Sequence, residues 1–272
     1  MRVRTPYAAA HNGGVTSDDL RRLSTIAHDG ALMWGPISES TVETIVERIA
    51  DAGIDAGSTI LDLGCGPAEL LRRAVERTGA QGLGVDASPH AVEEAARRLV
   101  TSPAAERMEV RLADVHDLDP TTRYDLVVCI GPGWEHRGWT ELASWCRGFL
   151  VPGGHLLIGD GAWRAIPSSA QLAAIGLDAA AYPPAGAVER LVRDAGIEPM
   201  WSHRATSAEW RAYEERYRTA LLRFADAHPE DPLATAAADR AGPRWPVYEV
   251  LHEVLDFVIV LAGPSARVGL TA

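Results

Sequence analysis

Lysine is missing altogether: all 26 basic residues of this 272-residue chain are arginines. No residue can form a Schiff base through a lysine amine, which removes pyridoxal-type chemistry, and no phosphate loop ending in Gly-Lys-Ser/Thr can be built. Basic runs are missing too. With 37 acidic residues against the 26 arginines the formal net charge is −11. That is a poor surface for a polyanion, because nucleic-acid affinity comes largely from cations that neutralise phosphates. Cysteine is scarce. Cys65, Cys129 and Cys146 are odd in number and widely spaced, which argues against a disulfide framework or a metal cluster and points to a reducing compartment. No apolar run spans a bilayer: the most apolar stretch, 255–262, is strand-sized, and residues 1–14 lack a signal-peptide core. The expectation is a cytoplasmic protein. Phenylalanine is rare as well, at three residues, against eight tryptophans, so aromatic surface is supplied mainly by indole.

What is present falls into a regular rhythm. A helix is expected from Ser17 to about His28, with Asp18 and Asp19 favourable in its first turn. A loop through Trp34-Gly35-Pro36 follows. A second helix is expected from Ser40, where Ser40 and Glu43 read as a capping box; Val42, Ile45, Val46 and Ile49 form its apolar stripe and Gly53 ends it. From Thr59 onward, apolar runs at 59–63, 82–85, 108–112, 125–130 and 155–159 alternate with helical patterns near 68–78, 89–100, 140–150 and 187–194. Such alternation predicts a mostly parallel sheet covered on both faces. A sixth strand is expected at 198–203. Two helices, 207–227 and 246–255, separated by a Pro-containing turn and an Ala-rich stretch, then interrupt the rhythm before a last strand at 256–262.

The segment Ile60-Leu61-Asp62-Leu63-Gly64-Cys65-Gly66-Pro67 carries the most chemistry. An apolar strand ends in an acid, and a Gly-x-Gly turn then opens a helix, where the backbone can approach a ligand closely. In an open parallel sheet this loop lies where ligands bind. A dinucleotide is disfavoured. Glu69 occupies the place of the third fingerprint glycine, and carboxylates at Asp62 and Glu69 would repel a pyrophosphate while suiting a ligand that carries positive charge. Asp86, ending the second strand about twenty residues later in Val85-Asp86-Ala87-Ser88, is placed to accept from a ribose diol. Asp114, after the third strand and beside Val115, could accept from an adenine amine. The fourth strand ends Cys129-Ile130-Gly131.

Taken together, Leu61-Asp62-Leu63-Gly64-Cys65-Gly66-Pro67, Gly84-Val85-Asp86-Ala87-Ser88, Ala113-Asp114-Val115, Tyr124-Asp125-Leu126-Val127-Val128 and Leu150-Val151-Pro152-Gly153-Gly154-His155-Leu156 resemble the ordered motifs of class I S-adenosylmethionine-dependent methyltransferases. The resemblance covers about residues 57–160. Residues 206–250 look like a bacterial subset of small-molecule methyltransferases. It implies an α/β, Rossmann-like, seven-stranded mostly parallel sheet with an antiparallel last strand, N-terminal helices and a helical insertion before that strand. The implied organisation is a helical lid segment at 1–56, a cofactor-binding core at 57–205, a substrate lid at 206–255, and the last strand with a tail at 256–272. The implied cofactor is S-adenosyl-L-methionine, with Asp62 near its amino group, Gly64, Cys65 and Gly66 beneath its methionine part, Asp86, Ala87 and Ser88 at the ribose, Asp114 and Val115 at the adenine, and Ile130 and Gly131 beside them.

The acceptor is then expected to be a small molecule rather than a nucleic acid or a membrane. The exocyclic-amine motif Asn/Asp-Pro-Pro-Tyr is replaced by Gly131-Pro132-Gly133-Trp134, and Cys129 lacks the preceding proline of cytosine-carbon enzymes. His136, with Glu135 beside it, is a candidate base because an imidazole can take a proton at neutral pH; an exposed loop histidine is the other reading. Asp160, after the fifth strand, is a second acid/base or an orienter; a structural turn residue is the other reading. Trp34, Trp134, Trp139 and Trp163 fall near strand ends, Trp210 and Tyr213 begin the inserted helix, and Tyr217 follows one turn on. Such rings shape dry pockets and attract cations. No His/Cys/Asp set has metal-ligand spacing. Two alternatives stay open: another reaction using the same cofactor, such as a cyclisation, or a non-catalytic cofactor-binding module.

Overall fold

The computed structural model describes residues 16–131, 138–243 and 245–264, with the side chain of Trp245 left aside. The first two helices are α1 (Ser17–Ala27) and α2 (Glu39–Asp51). The alternating part runs β1 (Thr59–Leu63), α3 (Glu69–Thr78), β2 (Gln81–Asp86), α4 (Pro89–Leu99), β3 (Met108–Leu112), β4 (Tyr124–Ile130), α5 (Trp139–Arg147) and β5 (Leu150–Trp163). It continues through α6 (Ser169–Ile175), α7 (Val188–Asp194) and β6 (Glu198–Arg204) to the inserted helices α8 (Ser207–Ala227), α9 (Ala234–Ala241) and α10 (Trp245–Val254), and ends in β7 (Leu255–Gly263).

The seven strands form one sheet in the order β3-β2-β1-β4-β5-β7-β6, and only β7 runs antiparallel to its neighbours. Strand periodicity divides the apolar side chains between two layers. Ile60, Leu126, Val128, Leu157 and Ile259 face a layer built on α1, α2, α3 and α8. Leu61, Leu63, Val127, Leu156 and Ile158 face a layer built on α5 and α7. Burial of each such side chain contributes about 1.5–3 kcal/mol, so a sheet buried on both faces is the product of its apolar runs. Strand order reverses between β1 and β4, which opens a crevice at the carboxyl ends of those strands.

Four local expectations are corrected. Ser38, not Ser40, caps α2: its hydroxyl takes the Thr41 N–H at 3.2 Å, while its own N–H goes to Glu209 on α8 at 3.0 Å. β5 extends to Trp163 rather than stopping at 159, because β7 supplies a partner for every residue from Leu156 to Trp163. α5 ends at Arg147, and Leu150 already pairs with Tyr124 of β4. Two short helices, α6 and α9, stand where no helix was read. α6 has a capping box between Ser168 and Gln171, and the Ala-rich α9 buries Ala234, Ala237 and Ala241. Among the described residues no helix is long and apolar enough to cross a membrane.

Candidate active site

The loop from β1 to α3 is built on left-handed turns. Gly64 and Gly66 have φ +70° and +54°, and Ala68, at φ +55°, is the non-glycine residue held in that region among those described. A left-handed alanine costs about 1–3 kcal/mol, so surrounding contacts must hold the loop. The Gly64 and Cys65 N–H groups donate to the Val85 carbonyl at 2.8 and 3.1 Å. The Gly66 N–H donates to the Asp86 carboxylate at 2.8 Å, and the Ser88 N–H reaches its other oxygen at 2.8 Å. A β-carbon on Gly84 would meet Cys65 Sγ at 2.9 Å, so glycine in β2 is what lets this loop lie flat on the sheet. Asp86 is therefore a clamp on two loops, and a carboxylate retains further lone-pair positions for a ligand.

Asp62 projects from β1 on the same face as Ile60. It is 5% exposed, and no hydrogen bond from a described residue reaches its carboxylate. Burial first, and then the negative charge of Asp86, push it up to about 7. Glu69 behaves otherwise. Arg72 and Arg73 both donate to it, at 2.7 and 2.8 Å, and these arginines hold it below the usual glutamate value against the opposing effect of burial. The expectation that Asp62 and Glu69 act alike is corrected: the Glu69 charge is spent on the two arginines one turn along its own helix, and of the two acids it is Asp62 that has no compensating partner among the described residues.

Two adjoining cavities open here. The first, about 220 Å³, is lined by Asp62, Gly64, Cys65, Gly66, Asp86, Ile130 and Gly131, beneath a cover from α1 and the Trp34 loop. The second, about 330 Å³, shares Ser24, His28, Trp34, Gly35, Gly131 and Phe257 with it and reaches Asp160, Tyr182, Trp210, Tyr213, Tyr217 and Arg240. His28 stands in the shared wall. Its Nδ1 donates to the Ser24 carbonyl at 2.7 Å, which leaves Nε2 to accept from the Tyr213 hydroxyl at 3.0 Å. Its ring stacks on Trp34 with centroids 5.0 Å apart. Burial holds its pKa down to about 4, so the ring is neutral at physiological pH. Asp160 lies within β5, paired with Val258, rather than after the strand as the sequence suggests; burial pushes it up to about 7, and among the described residues its carboxylate takes a hydrogen bond from the Gly161 N–H at 2.7 Å. A β-carbon on Gly161 would lie 2.6 Å from the Tyr182 ring, so the glycine makes room for that ring.

The sequence reading thus gathers much of the site, with exceptions. Ala87, Ser88, Asp114 and Val115 do not line the first cavity. Ser88 caps α4 through the Ala91 N–H, and Asp114, exposed, takes the His116 N–H. Trp34, Trp210 and Tyr213 line the second cavity, but Trp163 does not. The Trp163 indole donates to the Ala179 carbonyl at 2.8 Å and packs edge-on against Tyr182, behind the wall rather than in it. Trp139 is likewise buried, donating to the Gly161 carbonyl at 3.0 Å. Trp134, Glu135 and His136 lie outside the described residues. Missing from the reading were His28, Tyr182, Arg240 and Phe257. Only Phe257 had a usable signal, since antiparallel pairing of the last strand sets it opposite Gly161. Among the described residues no group of His, Cys, Asp and Glu is arranged to hold a metal ion.

Comparison with known proteins gives this geometry its context. Residues 60–154 match a family model described as a methyltransferase domain. The chain is 26% identical over 218 residues to YjhP of Escherichia coli (strain K12), spanning 79% of this chain and 87% of that protein. It is 28% identical over 196 residues to the 27-O-demethylrifamycin SV methyltransferase of Amycolatopsis mediterranei (strain S699), spanning 65% of this chain and 71% of that protein. The SAM-dependent methyltransferase of Thiobacillus denitrificans, solved in complex with S-adenosyl-L-homocysteine, matches 90% of this chain and 98% of its own, with a TM-score of 0.79 at 24% identity. That likeness is one of fold.

Proposed function

Through the methyltransferase domain of residues 60–154 the chain belongs to the class I S-adenosylmethionine-dependent methyltransferases, and we propose that it methylates a small-molecule acceptor held in the second cavity. The observation that carries this reading is Asp62. A buried carboxylate without a partner costs several kcal/mol, and one facing a cavity floored by a Gly-x-Gly turn fits the cationic amino group of the cofactor. The residues present suit the rest of that molecule. Asp86 would take the ribose hydroxyls with its remaining lone pairs, and Asp114 the adenine amine. Ala87, Ser88, Val115 and Ile130 would give the neighbouring walls, and Gly64, Cys65, Gly66 and Gly131 the close backbone approach.

When bound, the cofactor supplies a sulfonium methyl group open to in-line displacement. The protein's part is orientation, exclusion of water and management of one proton. Gly131, without a side chain, and Phe257 border both cavities, so an acceptor in the second would meet the first through this junction. Asp160 is the proton acceptor we assign for a protic nucleophile, because a carboxyl near 7 suits transfer at neutral pH. His28, held neutral, orients Tyr213 instead. His136 with Glu135, following β4 in the sequence, is the competing base. The acidic net charge argues against nucleic acid as acceptor, and three free, buried cysteines suit a reducing cytoplasm.

Calorimetric titration with S-adenosylhomocysteine tests the reading. One site per chain is expected, with binding abolished in Asp86→Ala. A folded protein that binds neither this compound nor S-adenosylmethionine would overturn it. Single-turnover methylation with Asp160→Asn and His136→Ala separates the two bases, and turnover without S-adenosylhomocysteine as product would mark a different reaction.

A further inference from the structure

The second cavity carries a charge pattern that narrows the acceptor. Asp160 lines it, and among the described residues the hydrogen bond to its carboxylate comes from the adjacent Gly161 N–H. Among the described residues no cation pairs with it. Arg240 also lines the cavity, but its charge acts on His28 and Tyr217 rather than on Asp160. Arg164, one strand end away, pairs with Asp256. The cavity therefore carries an acid on its β5 side, with Arg240 lining it on the α9 side.

The surface between those ends is aromatic. Trp210, Tyr213 and Tyr217 sit at i, i+3 and i+7 on α8, which places them on one helix face. Their rings follow at 6.3 and 6.0 Å between centroids. Phe257 and Tyr182 close the wall from the sheet side. Ring faces attract cations, by about 0.5–2 kcal/mol each when water is excluded. His28 adds no opposing charge at neutral pH, since burial keeps it unprotonated. A cavity of about 330 Å³ is at the small end for small-molecule sites.

We propose that the acceptor is an amine with an apolar, ring-sized body, held as its ammonium against Asp160 and flanked by the aromatic wall of the second cavity. This rests on the reading of that cavity as the acceptor site. A neutral alcohol or phenol can give Asp160 one hydrogen bond but leaves its charge uncompensated, whereas an ammonium neutralises it. The proton balance also closes. The ammonium gives one proton to Asp160, and the freed nitrogen lone pair forms the N–C bond as the S–C bond breaks, its electron pair staying on sulfur. The product leaves as an N-methylammonium with S-adenosylhomocysteine, and Asp160 returns its proton to solvent.

The test uses the full chain saturated with S-adenosylhomocysteine, titrated with 2-phenylethylamine and with its neutral counterpart 2-phenylethanol. The amine should bind at least about tenfold tighter, roughly 1.4 kcal/mol. That preference should disappear in Asp160→Asn and shrink by about threefold or more in Trp210→Leu, a loss within the cation–π range. Failure to bind S-adenosylhomocysteine would overturn the methyltransferase reading itself. Normal cofactor-product binding with equal affinities for amine and alcohol, with neither bound, or with a preference that survives Asp160→Asn, would overturn the amine proposal alone. Should Asp160→Asn not fold, the wild-type comparison and Trp210→Leu decide the matter.

Discussion

The Tyr213 hydroxyl lies 3.0 Å from Nε2 of His28, tying the inserted helix α8 to the end of α1 across 185 residues of sequence. Because the Ser24 carbonyl can only accept, the ring proton sits on Nδ1 and Tyr213 must be the donor to Nε2. Replacing Tyr213 by Phe keeps the ring and strands a buried acceptor, which costs about 1–3 kcal/mol. Urea denaturation should show a lower midpoint with an unchanged slope. A midpoint equal to wild type would mean that this contact does not hold the two helices together.

Asp62 and Asp160 make stability depend on pH in an unusual direction. Both carboxyls are pushed up to about 7 in the folded chain from an ordinary value of 3.8. Between about pH 4 and 7 the folded state therefore holds protons that the unfolded state has released, and stability falls as pH rises through that window. His28 works in the opposite sense. Held near 4 against an ordinary 6.5, it withdraws stability as pH falls from 6.5 to 4. Of these three groups the two acids outweigh the imidazole, so together they contribute a decline in stability toward neutrality in the ligand-free protein. Asp62→Asn should raise the melting temperature at pH 8 and leave it unchanged at pH 4. The same variant should bind S-adenosylhomocysteine at least about tenfold more weakly, since a buried charge pair is lost on binding. A melting temperature at pH 8 that Asp62→Asn fails to raise would remove the assignment of an uncompensated carboxylate.

The local parts of this site were legible because local chemistry builds them. Gly64 and Gly66, the strand-end Asp86 and the Ser88 cap are each specified within a few residues by turn, strand and cap rules, and the order β1-α3-β2 follows from periodicity. What was not legible comes from pairings distant in the chain. Ser38 and Ser40 are equally plausible caps by sequence, and Glu209, 171 residues away, decides between them. His28 carries no local motif, and it becomes part of the site only because α8 delivers Tyr213 to it. Trp163 reads as a pocket residue by position. Extension of β5 along β7 turns it inward, to the Ala179 carbonyl.

Glu209 shows how much rests on one such distant pairing. Its carboxylate takes the Ser38 N–H at 3.0 Å, the Thr41 hydroxyl at 2.6 Å and the Thr206 N–H at 2.8 Å, and it contacts the His203 imidazole at 3.1 Å. Burial opposes its charge, yet these hydrogen bonds hold it down to about 2. Its contribution is therefore present above about pH 4.5 and is lost as pH falls toward 2. Glu209→Ala leaves several buried donors unsatisfied and should cost about 2–4 kcal/mol at pH 7, whereas Glu209→Gln, which keeps an acceptor, should cost about half. Equal losses for the two variants in chemical denaturation would show that the hydrogen bonds are not what Glu209 supplies.

Gly161 is where backbone freedom and pocket shape meet. A β-carbon there would stand 2.6 Å from the Tyr182 ring, and that ring packs edge-on against Trp163 at 5.3 Å. Gly161→Ala must push Tyr182 away, an overpacking cost of about 1–3 kcal/mol, and must alter the Trp163–Tyr182 pair visible in near-ultraviolet circular dichroism. Gly161 and Tyr182 line only the second cavity. Affinity for S-adenosylhomocysteine should therefore stay within about twofold, under about 0.5 kcal/mol, while 2-phenylethylamine loses its seat. If the two ligands weakened together, the cavities would be one mechanical unit, and the separation of donor and acceptor walls at Gly131 and Phe257 would fail.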